Sequence, residues 1–147
     1  MMMFRDAVRQ DIEEIVALLT DDFLGQGRET DGYEQYLKAF KAIEQSPDNL
    51  LIVLDMDDEV CGCMQLTIIP CMTHGGTKRA MVEGIRIKRS VRNQGWGGKM
   101  LEYAETEAKK AGCGLLQLTT DKRRPEALRF YKRLGFVDSH EGLKKWL

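Results

Sequence analysis

The most informative stretch of the chain is Arg92-Asn93-Gln94-Gly95-Trp96-Gly97-Gly98-Lys99, which follows a β-rich run ending at Ile87. An amphipathic segment with apolar residues at Met100, Leu101, Ala104 and Ala108 comes directly after it and predicts a helix over 97–111. Glycines let the backbone approach a ligand closely, and the unpaired N–H groups in the first turn of a helix favour an anion. The stretch therefore predicts a phosphate-binding loop, although a plain strand-to-helix connector would have a similar composition.

A second cluster further along the chain is Arg124-Pro125-Glu126-Ala127-Leu128-Arg129-Phe130-Tyr131-Lys132-Arg133-Leu134-Gly135-Phe136. Together the two clusters resemble the GNAT superfamily of N-acetyltransferases. The first matches the family's Arg/Gln-x-x-Gly-x-Gly/Ala pyrophosphate loop, and the second matches its Ala-x-x-Phe-Tyr-x-x-x-Gly-Phe segment. The order and spacing of the elements agree across nearly the whole chain.

Periodicity predicts alternating strands and helices in a single domain, residues 1–147. A capping box of Asp11 and Glu14 is expected to open the first helix, with a buried stripe of Ile12, Ile15, Val16 and Leu19. Gly25 and Gly27 predict a loop. Strands are predicted over 3–8, 50–56, 59–69, 78–87, 115–120, 136–139 and 143–147, and helices over 11–20, 32–45, 97–111 and 125–134.

This order of elements favours an α+β or mixed α/β fold with a partly parallel sheet. The resemblance implies the GNAT fold, a bent mixed β-sheet with splayed central parallel strands flanked by about four helices. It also implies acetyl-CoA as co-substrate, with its pantetheine arm in the slot between the splayed strands. The implied cofactor-binding residues are Ile85, Ile87, Arg92, Asn93, Gln94, Gly95, Trp96, Gly97, Gly98 and Lys99.

Two residues are implied as catalytic. Tyr131 aligns with the family tyrosine that can protonate the departing CoA thiolate; the alternative is a core aromatic beside Phe130. Glu83 aligns with an acidic residue that, in some members, takes the amine proton directly or through water. A carboxylate there would otherwise satisfy a backbone group, and Gly84 replaces the Asp or Asn that is frequent after that Glu.

Charge and cysteine usage exclude several classes of function. The chain has 22 Lys and Arg against 23 Asp and Glu, so its net charge of -1 gives no overall field for nucleic acid or an acidic membrane. The four cysteines lack zinc-site spacing, which favours reduced thiols, a cytoplasmic location and no metal site. No cysteine has a neighbouring histidine to activate it, so no acyl-cysteine is expected.

The resulting prediction is an N-acetyltransferase that moves the acetyl group of acetyl-CoA to a primary amine of a small molecule by direct attack in a ternary complex. The alternatives are a protein lysine or N-terminal acetyltransferase and a non-catalytic acyl-CoA-binding module. The expected partners are acetyl-CoA and the amine acceptor, with no nucleic acid and no membrane; a homodimer is left open. A further similarity, at Leu118-Thr119-Thr120 and Ser139-His140, is to a subgroup that includes aminoalkylphosphonate acetyltransferases, with Asp121 where those relatives more often have Asn.

Overall fold

The structure, a computed structural model, describes residues 1–21, 29 and 32–147, so the predicted loop at Gly25 and Gly27 lies outside the described residues. The chain forms two compact units, Met1–Gln117 and Leu118–Leu147, and each is described by itself. The strands are β1 (Met2–Asp6), β2 (Asn49–Met56), β3 (Glu59–Ile69), β4 (Arg79–Ile87) and β5 (Leu115–Leu118). The helices are α1 (Ile12–Thr20), α2 (Tyr33–Gln45), the single turn α3 (Thr73–Gly76), α4 (Trp96–Lys110) and α5 (Pro125–Arg133).

The five strands form one sheet in the order β1-β2-β3-β4-β5. The pairs β1–β2, β2–β3 and β3–β4 are antiparallel. The Gly114 N–H donates to the Lys78 carbonyl at 2.9 Å, directly before β5 and β4, so these two strands begin side by side and run in the same direction. The sheet is therefore mixed, which confirms the predicted α+β class.

Helices cover both faces of the sheet. On one face Val53 and Cys63 pack against Ile15 and Leu18 of α1. On the opposite face the buried positions of α4 are the four apolar residues whose helical spacing predicted them, namely Met100, Leu101, Ala104 and Ala108. This follows from strand geometry, since alternate side chains of a strand point to opposite faces. None of the described helices is long and apolar enough to cross a bilayer.

The predicted capping box at the start of α1 is wrong. Asp11 is buried, and its carboxylate accepts hydrogen bonds from the Val8 N–H at 2.7 Å and from the Arg5 guanidinium at 2.7 and 3.1 Å. The Glu14 carboxylate instead accepts from the Val60 N–H at 2.9 Å. The Asp11 carboxylate bonds back to the residues before α1 and the Glu14 carboxylate bonds to β3, so neither side chain caps the helix. Leu18, rather than Val16 or Leu19, completes the fully buried stripe.

The two predicted strands at the chain's end are not formed. Residues 136–147 contain no strand, and Val137, Leu143 and Trp146 are 80%, 93% and 88% exposed. Alternating apolar residues gave the prediction, but a strand is stable only where a neighbouring strand pairs with its backbone. β5 also ends at Leu118, two residues before its predicted end.

Candidate active site

The loop between β4 and α4 is shaped by left-handed residues. After a 3-10 turn over Arg89–Val91, Asn93 and Gly95 adopt φ angles of 62° and 84°. α4 then begins at Trp96, one residue earlier than the sequence predicted. Gly95 serves this geometry at no steric cost, because glycine tolerates positive φ.

The N-terminal turn of α4 presents backbone N–H groups. The hydrogen bond that opens the helix runs from the Lys99 N–H to the Gly95 carbonyl at 3.2 Å. The N–H groups of Trp96, Gly97 and Gly98 precede it, and no side chain caps this end of the helix within the part of the chain that the structure describes. Such N–H groups, together with the positive end of the helix dipole, suit a phosphate group.

The side chains of Trp96 and Lys99 hold the loop in place. The Trp96 ring lies edge-on to Phe4 of β1 with centroids 6.5 Å apart, and the Lys99 ammonium lies 4.5 Å from the Trp96 ring centroid. The Trp96 ring thus lies between Phe4 of β1 and the Lys99 side chain. Of these two cofactor-binding candidates, Trp96 contributes to the loop through its backbone, whereas Lys99 also brings a positive charge close to it.

A β-bulge interrupts β4 at the predicted catalytic position. Cys63 is paired with Arg86 and Gln65 with Glu83, so Gly84 and Ile85 together lie opposite the single residue Met64. Gly84 has a φ of 61°, which a glycine adopts readily. A bulge bends its strand and changes the direction of the side chains beside it. Glycine after Glu83 is therefore explained by the backbone geometry of this strand.

Beyond the bulge, two backbone carbonyls of β4 point away from β3. The Lys88 N–H donates to the Cys61 carbonyl of β3 at 2.8 Å, so strand alternation directs the backbone groups of Ile87 and Ile85 to the other edge. The Ile87 carbonyl accepts from Arg92 Nε and the Ile85 carbonyl accepts from Arg86 Nη1, both at 2.9 Å. β5 has four residues against nine in β4, so the end of β4 extends past it.

Glu83 lines a small cavity on the α1 face of the sheet. The cavity measures about 200 Å³, and Glu83 itself is exposed to solvent. Its lining consists of Ile15, Leu19, Leu51, Cys63, Gln65, Glu83 and Gly84. A carboxylate at the mouth of a mainly apolar cavity can bind an ammonium and accept its proton. The polar member Gln65 was missed from the sequence, although a polar side chain in an otherwise apolar strand is a recognisable signal.

Tyr131 belongs to the second unit. It is a buried residue of α5, and its ring lies 5.5 Å from that of Phe130 and 5.9 Å from that of Phe136, centroid to centroid. Pro125 begins α5, as predicted, and the left-handed Gly135 follows its end. Glu83, the β4 edge and the loop before α4 all belong to the first unit, and their roles, like the catalytic role of Tyr131, stay predictions.

Burial keeps three of the thiols protonated. It raises the pKa of Cys61 and of Cys113, and it raises the pKa of Cys63 to about 12. With a pKa of about 12, the Cys63 thiol carries almost no nucleophilic thiolate at neutral pH. Cys63 lines the cavity but donates to the Gly84 carbonyl, with sulfur and oxygen 3.6 Å apart. These properties favour direct attack by the amine over an acyl-cysteine.

The contacts of His74, His140 and Arg123 described next are with residues close to them in sequence. His74 is exposed in α3 with a φ of 53°, and its carbonyl accepts from the Thr77 hydroxyl at 2.6 Å. His140 is exposed, and its Nδ1 lies 2.7 Å from Ser139 Oγ. Arg123 forms an ion pair with Asp121 at 2.9 Å. These contacts fit turn and surface residues.

Several known proteins resemble this chain in sequence and in fold. The model of the acetyltransferase (GNAT) family matches residues 12–136. The chain is 28% identical over 136 residues to the aminoalkylphosphonate N-acetyltransferase of Salmonella typhimurium, which covers 92% of this chain and 85% of that relative. A crystal structure of a transcriptional regulator from Bacillus halodurans C-125 is 43% identical, with a TM-score of 0.96 and complete coverage of both chains. A complex of the aminoglycoside N-acetyltransferase AAC(6')-Iy with CoA shares the fold at 16% identity and a TM-score of 0.83, covering 100% of this chain and 95% of that one.

The chain therefore belongs to the acetyltransferase (GNAT) family. This makes it an acetyl-CoA-dependent N-acetyltransferase, with acetyl-CoA as the co-substrate.

Proposed function

We propose that this enzyme acetylates the primary amine of a small molecule by direct attack on acetyl-CoA in a ternary complex. The observation that carries the proposal is the exposed carboxylate of Glu83 at a cavity of about 200 Å³, on the same strand as the outward-facing backbone of Ile85 and Ile87. A cavity of this size suits the amine end of an acceptor.

The chain's residues supply the binding and proton-transfer steps. Pantetheine pairs with the backbone of Ile85 and Ile87, as a peptide adds to a sheet edge, and the amides of Gln94, Gly95, Gly97 and Gly98 receive the pyrophosphate. The acceptor arrives as an ammonium and loses a proton to Glu83 or to water. Its nitrogen then forms the bond to the acetyl carbon while the carbon–sulfur bond breaks, and Tyr131 protonates the departing thiolate. The nitrogen loses its second proton to solvent, and solvent returns a proton to Tyr131.

Relatives support a small-molecule acceptor. The Salmonella typhimurium relative is named for aminoalkylphosphonates. A structure of AAC(6')-Iy contains the bisubstrate analog CoA-S-monomethyl-acetylneamine, and it shares the fold of this chain at 16% identity and a TM-score of 0.82. Both names refer to amines of small molecules. The substrates of those proteins suggest which class of acceptor to test first.

A second candidate is a non-catalytic acyl-CoA-binding module. The Bacillus halodurans relative, described as a transcriptional regulator, favours this candidate. Against it stand the carboxylate at the cavity and the retained Tyr131, which a sensor would not need.

Thiol release from acetyl-CoA distinguishes the candidates. We expect release with members of a panel of small primary amines and none with peptides bearing a free N-terminus or lysine. Release with peptides alone would assign the enzyme to protein acetylation. Acetyl-CoA binding without release for any acceptor would make the chain a binding module.

A further inference from the structure

A hydrogen-bond relay holds the side chain of Gln65 in one orientation. Thr67 Oγ1 donates to Asn49 Oδ1 at 2.7 Å, and Gln65 Nε2 donates to the same oxygen at 3.2 Å. Asn49 Nδ2 in turn donates to Ser46 Oγ at 3.0 Å. Asn49 thus uses its oxygen for two donors from β3 and its nitrogen for Ser46. The amide nitrogen of Gln65 is directed to β2 as a result.

The amide oxygen of Gln65 is left for a ligand. Gln65 is paired directly with Glu83 across β3 and β4, and both side chains line the same cavity. Directly opposed residues on one face have Cβ atoms about 5 Å apart. No donor among the described residues bonds to Gln65 Oε1. Two oxygen acceptors on directly paired residues of one cavity suit a group that carries several N–H donors, and a primary ammonium carries three.

The rest of the cavity lining, among the residues that the structure describes, is mainly apolar. Beside Gln65 and Glu83 it consists of Ile15 and Leu19 of α1, Leu51 of β2, the Cys63 thiol and Gly84. α1 lies close against the bulge, since a Cβ added to Gly84 would be 3.7 Å from Leu19 Cδ2. Apolar walls with a few placed polar groups are typical of small-molecule sites. The atoms next to the bound nitrogen are therefore expected to be an apolar arm.

We propose that Gln65 binds the acceptor: its Oε1 accepts a hydrogen bond from the ammonium beside Glu83, and the cavity selects primary amines on an unbranched apolar arm. Asn49 acts as a positioning residue, because it fixes which end of the Gln65 amide faces the ligand. This inference rests on the proposed function, in which Glu83 receives the proton of the same nitrogen.

Paired variants test the hydrogen bond with n-butylamine as the probe. Gln65→Leu removes the acceptor oxygen, so the KM for n-butylamine should rise roughly 10- to 100-fold, the effect of losing a hydrogen bond to a charged group. kcat and the KM for acetyl-CoA should change less than about threefold. Gln65→Glu retains an oxygen acceptor and should keep the KM for the amine near that of the wild type.

Two variants test the positioning role of Asn49, and a second amine tests whether the cavity selects an unbranched arm. Asn49→Ala should raise the KM for n-butylamine, whereas Asn49→Asp, which keeps an oxygen to accept from Gln65 Nε2, should restore most of it. sec-Butylamine, branched at the carbon that bears the nitrogen, should have the higher KM of the two amines in the wild type. Equal KM values for n-butylamine in the wild type and Gln65→Leu would overturn the proposal.

A binding measurement that needs no turnover separates the inference from the proposed function. In the ¹⁵N-labelled wild-type protein, the side-chain amide signals of Gln65, assigned by their loss in Gln65→Glu, should shift on titration with n-butylammonium. A shift without thiol release from n-butylamine or any other amine of the panel would support the binding role of Gln65 and contradict the proposed reaction. Thiol release with n-butylamine but no shift of these signals would contradict the role of Gln65 and leave the reaction in place.

Discussion

The hydroxyl of Tyr131 is the group proposed to protonate the CoA thiolate. Tyr131→Phe removes that oxygen and keeps the ring contacts with Phe130 and Phe136. The single-turnover rate should fall by roughly 10²- to 10⁴-fold, the usual contribution of a positioned acid, while CoA affinity stays nearly constant. Single turnovers are the right measurement because slow product release would hide the change in kcat.

Tyr103→Phe is the matched control for this variant. Tyr103 lies on α4, with its ring 5.1 Å from that of Phe4, and loses the same hydroxyl. Its single-turnover rate should equal that of the wild type. A wild-type rate in Tyr131→Phe at every pH would leave thiolate protonation to water.

The high pKa of Cys63, about 12, predicts that no acetyl group is carried on this cysteine. At pH 8 the group is almost wholly protonated, because that pH lies well below its pKa. Mass spectrometry after incubation with acetyl-CoA alone should show no acetylated protein, and Cys63→Ala should keep its acetyl transfer. An acetylated peptide containing Cys63, formed at the rate of turnover, would refute direct attack.

At the scale of elements, the contact between α4 and β3 depends on the absence of a side chain at Gly62. A Cβ there would lie 3.0 Å from Met100 Cε and 3.1 Å from the Arg86 carbonyl oxygen. Gly62→Ala should lower the free energy of unfolding by about 1–3 kcal/mol, as overpacking does, measured by urea denaturation. Gly32→Ala, where the nearest atom is 3.5 Å away, is the control and should change stability much less.

The first turn of α4 should also be sensitive to side chains. Gly97→Val puts a branched side chain beside the N–H groups proposed to bind pyrophosphate. The Kd for acetyl-CoA should rise roughly tenfold or more, which is about 1.4 kcal/mol of binding free energy. Calorimetric titration measures it, with circular dichroism to show that the variant is folded. An unchanged Kd in a folded variant would place the pyrophosphate elsewhere.

Local sequence patterns predicted the helices that a regular spacing of apolar residues or a terminal proline marks in the sequence. The stripe of α4 was predicted because its apolar residues recur at helical spacing between glycines, and Pro125 marked the start of α5. The bulge at Gly84 could not be predicted, since it depends on the register with β3. The partners of Asp11 are likewise set by tertiary structure, and the polar set of Asn49, Gln65 and Thr67 becomes a cluster only once β2 and β3 are paired.

At the scale of the whole molecule, Arg5 connects β1 to two other parts of the first unit. Its guanidinium bonds to Asp11 at the start of α1 and, through Nε at 2.9 Å, to Asp55 of β2. Removing one partner of a part-buried pair leaves the other charges uncompensated. Arg5→Ala should therefore destabilise the protein by about 3 kcal/mol in urea denaturation, whereas Arg9→Ala, at an exposed residue, should have little effect.

The same cluster predicts how stability depends on pH. The hydrogen bond from Arg5 lowers the pKa of Asp55 below its ordinary value. A carboxyl with a lowered pKa in the folded state stabilises the protein above the unfolded pKa, about 4, and loses that contribution as the pH falls through the folded value. Urea midpoints between pH 7 and pH 2 should decline below about pH 4, and less steeply in Arg5→Ala. A parallel decline in both proteins would contradict this assignment.

The arginine contacts on the β4 edge have a consequence for the molecule at high concentration. An unpaired strand edge can recruit a strand from another chain, and this is a common start of aggregation. Because Arg86 and Arg92 donate to the Ile85 and Ile87 carbonyls, the part of β4 proposed to receive the co-substrate offers few acceptors to a neighbouring protein when no co-substrate is bound. Arg92→Ala should accordingly scatter more light on storage than the wild type, and added CoA should reduce the difference.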